Sequence, residues 1–296
     1  LVLAQVATSL PALKKIQRRT VAGVTMHGAS IITDHQFTWL SDYVKQLSGL
    51  NLHAGKRELV KARLAKRLRT LGFTDFSEYV ALIRSDQGEA ELPVMLDALT
   101  THQTSFFRDA HHLEDLVKLV LPHARERRLV VWSAGCSSGE ETYSIVLALL
   151  NAKPEIETWD FRVLGTDLSR QCIERARRGV YPCERLAAIP TPLKNHYFAP
   201  CVDGPPGAWG ATRALRRFAY FAQLNLVESW PLRRPFDAIF CRNVMIYFER
   251  PNQMRLVNRF FDLLRPGGFL FIGSAESLSN LGHRFRYVKP TVYVRP

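Results

Sequence analysis

Apolar positions recur every three to four residues over the first third of the chain, then give way to short apolar runs after about Leu129. In DHQFTWLSDYVKQLSGL, the residues Phe37, Leu40, Val44 and Leu47 share one helical face, with Asp34 placed as an N-cap and Gly49 as a stop. In KRELVKARLAKRLRTLG, the residues Val60, Leu64, Leu68 and Leu71 fall within about 80° of arc on a helical wheel, and Gly72 ends the run. DFSEYVALIRSD and ELPVMLDALTTH predict two further helices, and no strand is expected before Leu129. Residues 1–30 keep no sustained period and are expected to form a tail, with a short helix around Leu10 to Arg18.

The second part alternates. LVVWSAG, FRVLGTDLS, FDAIFCRN, PGGFLFIGS and TVYVRP predict strands; EETYSIVLALLNA, SRQCIERARRG and PNQMRLVNRFFDLLR predict helices between them. Repeated strand–helix units imply a mostly parallel sheet with helices on both faces, an α/β fold. Between Tyr181 and Asn225 the pattern breaks into prolines, a DGPPGAWG turn cluster and the strand-like TRALRRFAYFAQLNL, which predicts a small antiparallel β-subdomain inserted into the larger one. The expected organisation is therefore a tail over 1–30, a helical domain over 31–100 and an α/β domain over 101–296 that carries the insertion over 181–224.

Composition narrows the function classes only a little. The 296 residues, 47% of them hydrophobic, suffice for one or two cores. No run of about 18 apolar residues predicts a membrane span, and the first residues lack the basic-then-apolar order of a secretory leader. Cys136, Cys172, Cys183, Cys201 and Cys241 form no CxxC pair and have no histidine at zinc spacing, so no metal site is expected. Reduced thiols in a cytoplasm are the expectation. The formal charge of +13 predicts either a polyanionic partner, such as nucleic acid or an acidic protein surface, or simple non-specific stickiness, and composition does not choose between them.

The chemistry starts at VVWSAGCSSGEETYS, a buried strand, a small-residue loop and a helix. A P-loop requires GxxxxGK[ST], but Glu140 and Glu141 follow Gly139; a dinucleotide fingerprint requires a third glycine that is missing. Two carboxylates in the first helical turn already occupy the positive helix end, where a pyrophosphate would meet like charge. A cofactor with ribose hydroxyls and a cationic amino-acid end suits the loop better, and S-adenosylmethionine is such a molecule; the bland alternative makes both glutamates ordinary first-turn residues. In open α/β sheets an acid at the end of the second strand takes the ribose hydroxyls. Asp167 in GTDLS stands there, with N-capping of the next helix as its alternative role.

Longer motifs carry a resemblance. TTHQTSFFRDAHHLEDL, VWSAGCSSGEETYS, IFCRNVMIYFERPNQ and GSAESLSNL resemble, in order and over roughly residues 35–295, the chemotaxis-receptor glutamate O-methyltransferases of the CheR family. The resemblance implies a helical N-terminal domain, a class I (Rossmann-like) S-adenosylmethionine-dependent methyltransferase domain and a small inserted β-subdomain. It implies cofactor contacts from His102, Thr104, Arg108, Glu140, Asp167, Asn225, Leu226, Arg242 and Asn243, with Glu141 left as a helix-start residue. His102 stands where the family usually has asparagine, and Ser274-Ala275 where a His-Ser pair is frequent before Glu276. The implied substrate is a glutamate side chain in the acidic cytoplasmic coiled coil of a methyl-accepting chemotaxis receptor, with no nucleic acid and no membrane insertion.

A glutamate with a pKa near 4.3 is ionised at neutral pH, so its methylation needs alignment and partial desolvation rather than a general base. Arg108 and Tyr247 match family positions assigned to the active site and could hold the carboxylate; a helix-capping or ion-pairing arginine and a core tyrosine are their alternatives. KRELVKARLAKRLR sets seven basic residues against Glu58 alone, with Lys56, Arg63, Lys66 and Arg67 on one flank. Charge complementarity to an acidic receptor makes Arg63, Lys66 and Arg69 the expected receptor-facing set, against a merely solvated face. TRALRRFAYF offers basic and aromatic residues for docking a receptor tail peptide by strand addition. Two other readings stay open at this point: a methyltransferase acting on nucleic acid, although NVMIY lacks the proline-containing motif of amino-methylating enzymes, and a non-catalytic S-adenosylmethionine-binding adaptor.

Overall fold

A computed structural model describes residues 31–124, 126–201, 204–233 and 235–296. The expected tail and its short helix lie outside them. The helical domain consists of α1 (Asp34–Ser48), α2 (Arg57–Leu71), α3 (Phe76–Arg84) and α4 (Leu92–Leu99). The cap of α1 differs from expectation. Thr33 accepts the Gln36 N–H while the Gln36 side chain returns to Thr33, so a reciprocal capping box moves the cap one residue upstream of Asp34. Gly49 takes φ 75° to end the helix. A second box joins Asp75 and Glu78 at the start of α3. Phe37, Leu40 and Val44 from α1 pack inward with Val60, Leu64 and Leu68 from α2.

The α/β domain follows α5 (His111–Asp115) and runs β1 (Arg128–Ala134), α6 (Glu140–Ala152), β2 (Asp160–Asp167) and α7 (Arg170–Arg178). Then come β3 (Val180–Pro182), α8 (Thr191–Tyr197), β4 (Phe198–Pro200), β5 (Ala208–Ala211), α9 (Arg213–Arg216) and β6 (Ala219–Gln223). The chain closes with β7 (Phe236–Cys241), α10 (Arg250–Leu263), β8 (Leu264–Ile272), β9 (Arg286–Lys289) and β10 (Val292–Val294). The main sheet has the order β6-β2-β1-β7-β8-β10-β9. The first five of these strands are parallel, and β10 runs antiparallel to both of its neighbours. Strand β7 is buried at every position, as expected of a central parallel strand covered on both faces.

Two local expectations change. TRALRRFAYFAQLNL is not one strand of the small sheet: Arg213–Arg216 is a helical turn, and Ala219–Gln223 is the edge strand of the main sheet. The small sheet, β3-β5-β4, is complete before Thr212. The PGG turn lies within β8, whose pairing with β7 shifts register between Phe236 and Ala238. Strand β9 was not expected. Its RYVK sets Tyr287 and Val288, both exposed, on opposite faces and pairs along β10 alone.

The helical domain is fixed to the α/β domain. Leu40, Val44 and Leu64 belong to one continuous cluster of buried side chains with Ile239, Phe260 and Leu270. The Asn51 N–H donates to the Tyr247 carbonyl at 2.8 Å, and the Asn225 amide donates to the Leu47 carbonyl at 2.7 Å. A Cβ on Gly49 would lie 2.5 Å from Val227 Cγ1, so that crossing needs glycine for contact as well as conformation.

Candidate active site

The sheet order reverses between β1 and β7, and a cleft opens beyond the carboxyl ends of these strands, where open α/β sheets bind ligands. The loop after β1 forms its floor. Gly135 and Gly139 take φ 91° and 98°. A Cβ on Gly135 would come 2.3 Å from Val244 Cγ2, and one on Gly139 2.8 Å from Ala176 Cβ. The Gly135 and Cys136 N–H groups donate to the Thr166 carbonyl at 2.7 and 2.9 Å, tying this loop to the end of β2.

Asp167 sits at that end and lines the cleft. Its Oδ2 accepts the Ser137 N–H at 2.8 Å and its Oδ1 the Ser169 N–H at 2.9 Å. The capping role weighed for it falls to Ser169, whose Oγ accepts the Cys172 N–H at 3.0 Å. Burial pushes the Asp167 carboxyl above the usual carboxylate range, against the pull of its two backbone donors. Each oxygen keeps acceptor capacity for a further hydrogen bond. His102, Asp167 and Cys172 bring one ligand-capable atom each to within 4.8 Å of one another, a grouping that linear spacing did not show. The His102 Nε2 lies 2.7 Å from Thr100 Oγ1.

The two glutamates of the loop diverge. Glu140 is fully buried and does not line the cleft; its Oε2 accepts the Ser138 hydroxyl at 2.7 Å, and its Oε1 faces Arg185 Nη1 at 3.2 Å. Glu141 lines the cleft instead. It accepts the Ser133 hydroxyl at 2.7 Å and Arg242 Nη1 at 3.0 Å. One helical step of 100° separates neighbours, and the strand below selects which of them turns to the cleft. Arg242, buried, spends its other terminal nitrogen on Asp109 and on the Arg108 carbonyl at 2.9 Å. It joins β7, α6 and the segment that carries Arg108, and its Nε has no partner among the described residues.

The loop after β7 hangs on Glu276. The Glu276 carboxylate accepts the N–H groups of Asn243 (3.0 Å), Val244 (2.9 Å), Met245 (2.7 Å), Ile246 (3.3 Å) and Gly273 (2.6 Å). Asn243, at φ 58°, lines the cleft beside Val244 and Tyr247. The side chain of Asn225 is engaged with Leu47 and Glu228, and Leu226 contributes a buried apolar wall. Thr104 lines the cleft while its carbonyl accepts from Arg185 at 3.0 Å.

Arg108 and Tyr247 stand at the mouth. Arg108 is exposed, with one hydrogen bond at 3.1 Å to the Gln103 carbonyl. The Tyr247 hydroxyl makes no hydrogen bond among the described residues, and the Lys56 ammonium lies 5.4 Å from the centroid of its ring. The three basic residues of α2 expected to face a receptor separate. Arg63 lines the cleft and donates to the carbonyls of Leu99 (2.5 Å) and Thr100 (3.1 Å) and to Thr101 Oγ1 (2.8 Å). It clasps the interdomain connection. Lys66 and Arg69 point to solvent. Arg67, from the same flank, holds Glu91 through two hydrogen bonds of 2.6 and 2.7 Å.

Glu276, Glu141 and Lys56 were not in the expected site. Glu276 was visible only as a family landmark, since four of its five donors lie thirty or more positions away in sequence. Lys56 stood in the basic flank with nothing to distinguish it.

Residues 35–100 match the family model described as CheR methyltransferase, all-alpha domain, and residues 102–294 match CheR methyltransferase, SAM binding domain. The chain is 41% identical to a chemotaxis protein methyltransferase of Klebsiella aerogenes, over 88% of this chain and 90% of that protein. It is 39% identical to chemotaxis protein methyltransferase 2 of Pseudomonas aeruginosa, over 88% and 93%. Identity to the Escherichia coli chemotaxis protein methyltransferase is also 39%, over 88% and 91%.

Proposed function

Because the chain belongs to the CheR methyltransferase family, carrying its all-helical and S-adenosylmethionine-binding domains in order, we propose that it methylates glutamate side chains in the acidic cytoplasmic coiled coil of chemotaxis receptors. Membership makes it an S-adenosylmethionine-dependent chemotaxis methyltransferase. The acceptor is the further step.

The residues present suit the cofactor. Asp167 offers two carboxylate oxygens with spare acceptor capacity at the end of β2, where ribose hydroxyls are taken. Leu168 and Leu226 supply apolar wall for a purine, and Glu141 puts negative charge on the side of a cationic amino-acid end. Thr104, Asn243 and His102 complete the polar lining. Arg242 also lines the cleft, where it holds Glu141 and the Arg108 segment. Bound S-adenosylmethionine supplies a methyl group activated by the positive charge of its sulfur.

The observation that carries the acceptor assignment is the sign of charge at the mouth. The guanidinium of Arg108, the ammonium of Lys56 and the unengaged hydroxyl of Tyr247 are all donors, and they stand at the cleft that holds Asp167. Such a mouth draws in a carboxylate and can hold one oxygen while the other stays open to react. A glutamate at neutral pH arrives ionised, so these residues have to orient and desolvate it, not deprotonate it. Too close a pairing with Arg108 would quench the nucleophile; a single donor from Tyr247 orients it at less cost in reactivity.

The test is to incubate the protein with S-adenosylmethionine and a receptor cytoplasmic fragment, then map modified peptides by mass spectrometry. Added methyl mass on glutamate, lost after mild base, is expected; base-stable methylation on nitrogen would sink the assignment.

A further inference from the structure

A second concavity lies at the β6 edge of the main sheet, between the end of α7, α9 and β6, and shares no lining residue with the methyl-transfer cleft. Its wall carries Arg177, Arg213, Arg216 and Arg217 beside Tyr220 and Phe221. All four arginines are exposed, and Tyr220 is 41% exposed.

Hydrogen bonding explains where two of these guanidinium groups point. Arg177 donates Nε (3.2 Å) and Nη2 (2.8 Å) to the Phe221 carbonyl, and Arg216 donates Nη2 to the Arg177 carbonyl at 2.8 Å. A carbonyl satisfies an N–H but cancels no charge. Arg217 alone meets a carboxylate, Glu157, at 2.7 Å. Arg213 has no partner among the described residues. Four cations and one anion thus leave a local excess of three positive charges around one hollow. A clasp between α7 and β6 needs Arg177 and Arg216, but it gives Arg213 nothing to do.

We propose that this hollow is a second ligand site, which takes a phosphate ester. A guanidinium presents parallel N–H donors that match phosphate oxygens. Several such forks around one centre suit a multiply charged anion with three terminal oxygens better than a carboxylate with two. The flat Tyr220 ring at the rim supplies a face on which a base or sugar attached to the phosphate rests. None of these residues lines the methyl-transfer cleft, and the cofactor that the cleft suits has no phosphate.

Calorimetric titration of the full chain with inorganic pyrophosphate at about 0.15 M chloride tests this. One saturable site with a Kd below about 1 mM is expected. Arg213→Ala/Arg216→Ala should weaken it at least about tenfold, leaving S-adenosylhomocysteine affinity within about twofold as the check that the fold survives. If that pair does not fold, Arg213→Gln replaces it, since Arg213 holds no structural bond. A charge-matched control, Lys118→Ala/Arg286→Ala, should bind pyrophosphate as the parent does. Vesicles containing phosphatidic acid form a second arm: binding there, lost in the Arg213/Arg216 variant, while free pyrophosphate gives no heat, assigns the phosphate to a lipid headgroup. No saturable binding in either arm overturns the proposal. So does equal loss in the charge control, or citrate or a polyglutamate peptide binding as tightly as pyrophosphate.

Discussion

Glu276 holds Asn243 in place: its Oε2 accepts the Asn243 N–H at 3.0 Å while Asn243 sits at φ 58°, a conformation uncommon outside glycine. The same carboxylate gathers four more N–H groups and so fixes the loop bearing Tyr247. Glu276→Gln turns an acceptor of five donors into a group that carries donors itself. A loss of about 2 kcal/mol in stability is expected, together with a fall in kcat of about tenfold in protein that remains folded. Thermal unfolding and steady-state kinetics measured on the same preparation check this, and unchanged kcat would show that the loop tolerates release.

Glu140 and Glu141 are adjacent yet bonded to different partners, so their amides should separate two effects. Glu141→Gln, which loosens Arg242, should weaken S-adenosylhomocysteine binding several-fold with little change in melting temperature. Glu140→Gln, buried against Ser138 and Arg185, should lower the melting temperature more than the affinity. Calorimetry of both variants decides, and the reverse pattern would place the cofactor contact on Glu140.

Arg108→Ala should nearly abolish methyl transfer while the fold survives, because its guanidinium is exposed and holds only the Gln103 carbonyl. Tyr247→Phe should cost less, on the order of tenfold in kcat. Near-normal turnover of the alanine variant would remove Arg108 from the active site.

Arg63 no longer belongs with Lys66 and Arg69. Lys66→Glu/Arg69→Glu should raise the apparent KM for receptor and blunt its salt dependence. Arg63→Glu should lower the melting temperature instead, because it unclasps Leu99 and Thr100. An unchanged salt profile in the double variant would count against receptor contact by α2.

His112 is buried with its Nε2 at 2.7 Å from Thr291 Oγ1, and burial holds its pKa down to about 4. The unfolded chain binds this proton near pH 6.5, so between about pH 6.5 and 4 the unfolded state carries more protons. The contribution is therefore present above that window and is lost as pH falls through it, by about 1–2 kcal/mol at pH 5. Denaturant unfolding at pH 7 and pH 5 should show the loss, and His112→Gln should flatten it.

Periodic features were legible in the sequence. The inward faces of α1 and α2 followed from spacing alone, and Asp167 followed from its position after the second strand of a βα repeat. Features set by rotation or by distance were not. The choice between Glu140 and Glu141 depends on where Ser133 and Arg242 lie. Glu276 meets loop residues thirty or more positions away, and Arg63 is bound to the Thr100 carbonyl beyond two intervening helices. Local chemistry also misled at the start of α1. Asp34 is a good cap by type, but Thr33 with Gln36 closes both bonds of a box.

The central claim, a carboxylate acceptor, is tested most directly by the base lability of the transferred methyl. After incubation of the protein with receptor membranes and tritiated S-adenosylmethionine, mild base should release the receptor-bound label as volatile methanol. Label that stays on the receptor through base, or that is lost when nucleic acid is digested beforehand, would contradict it.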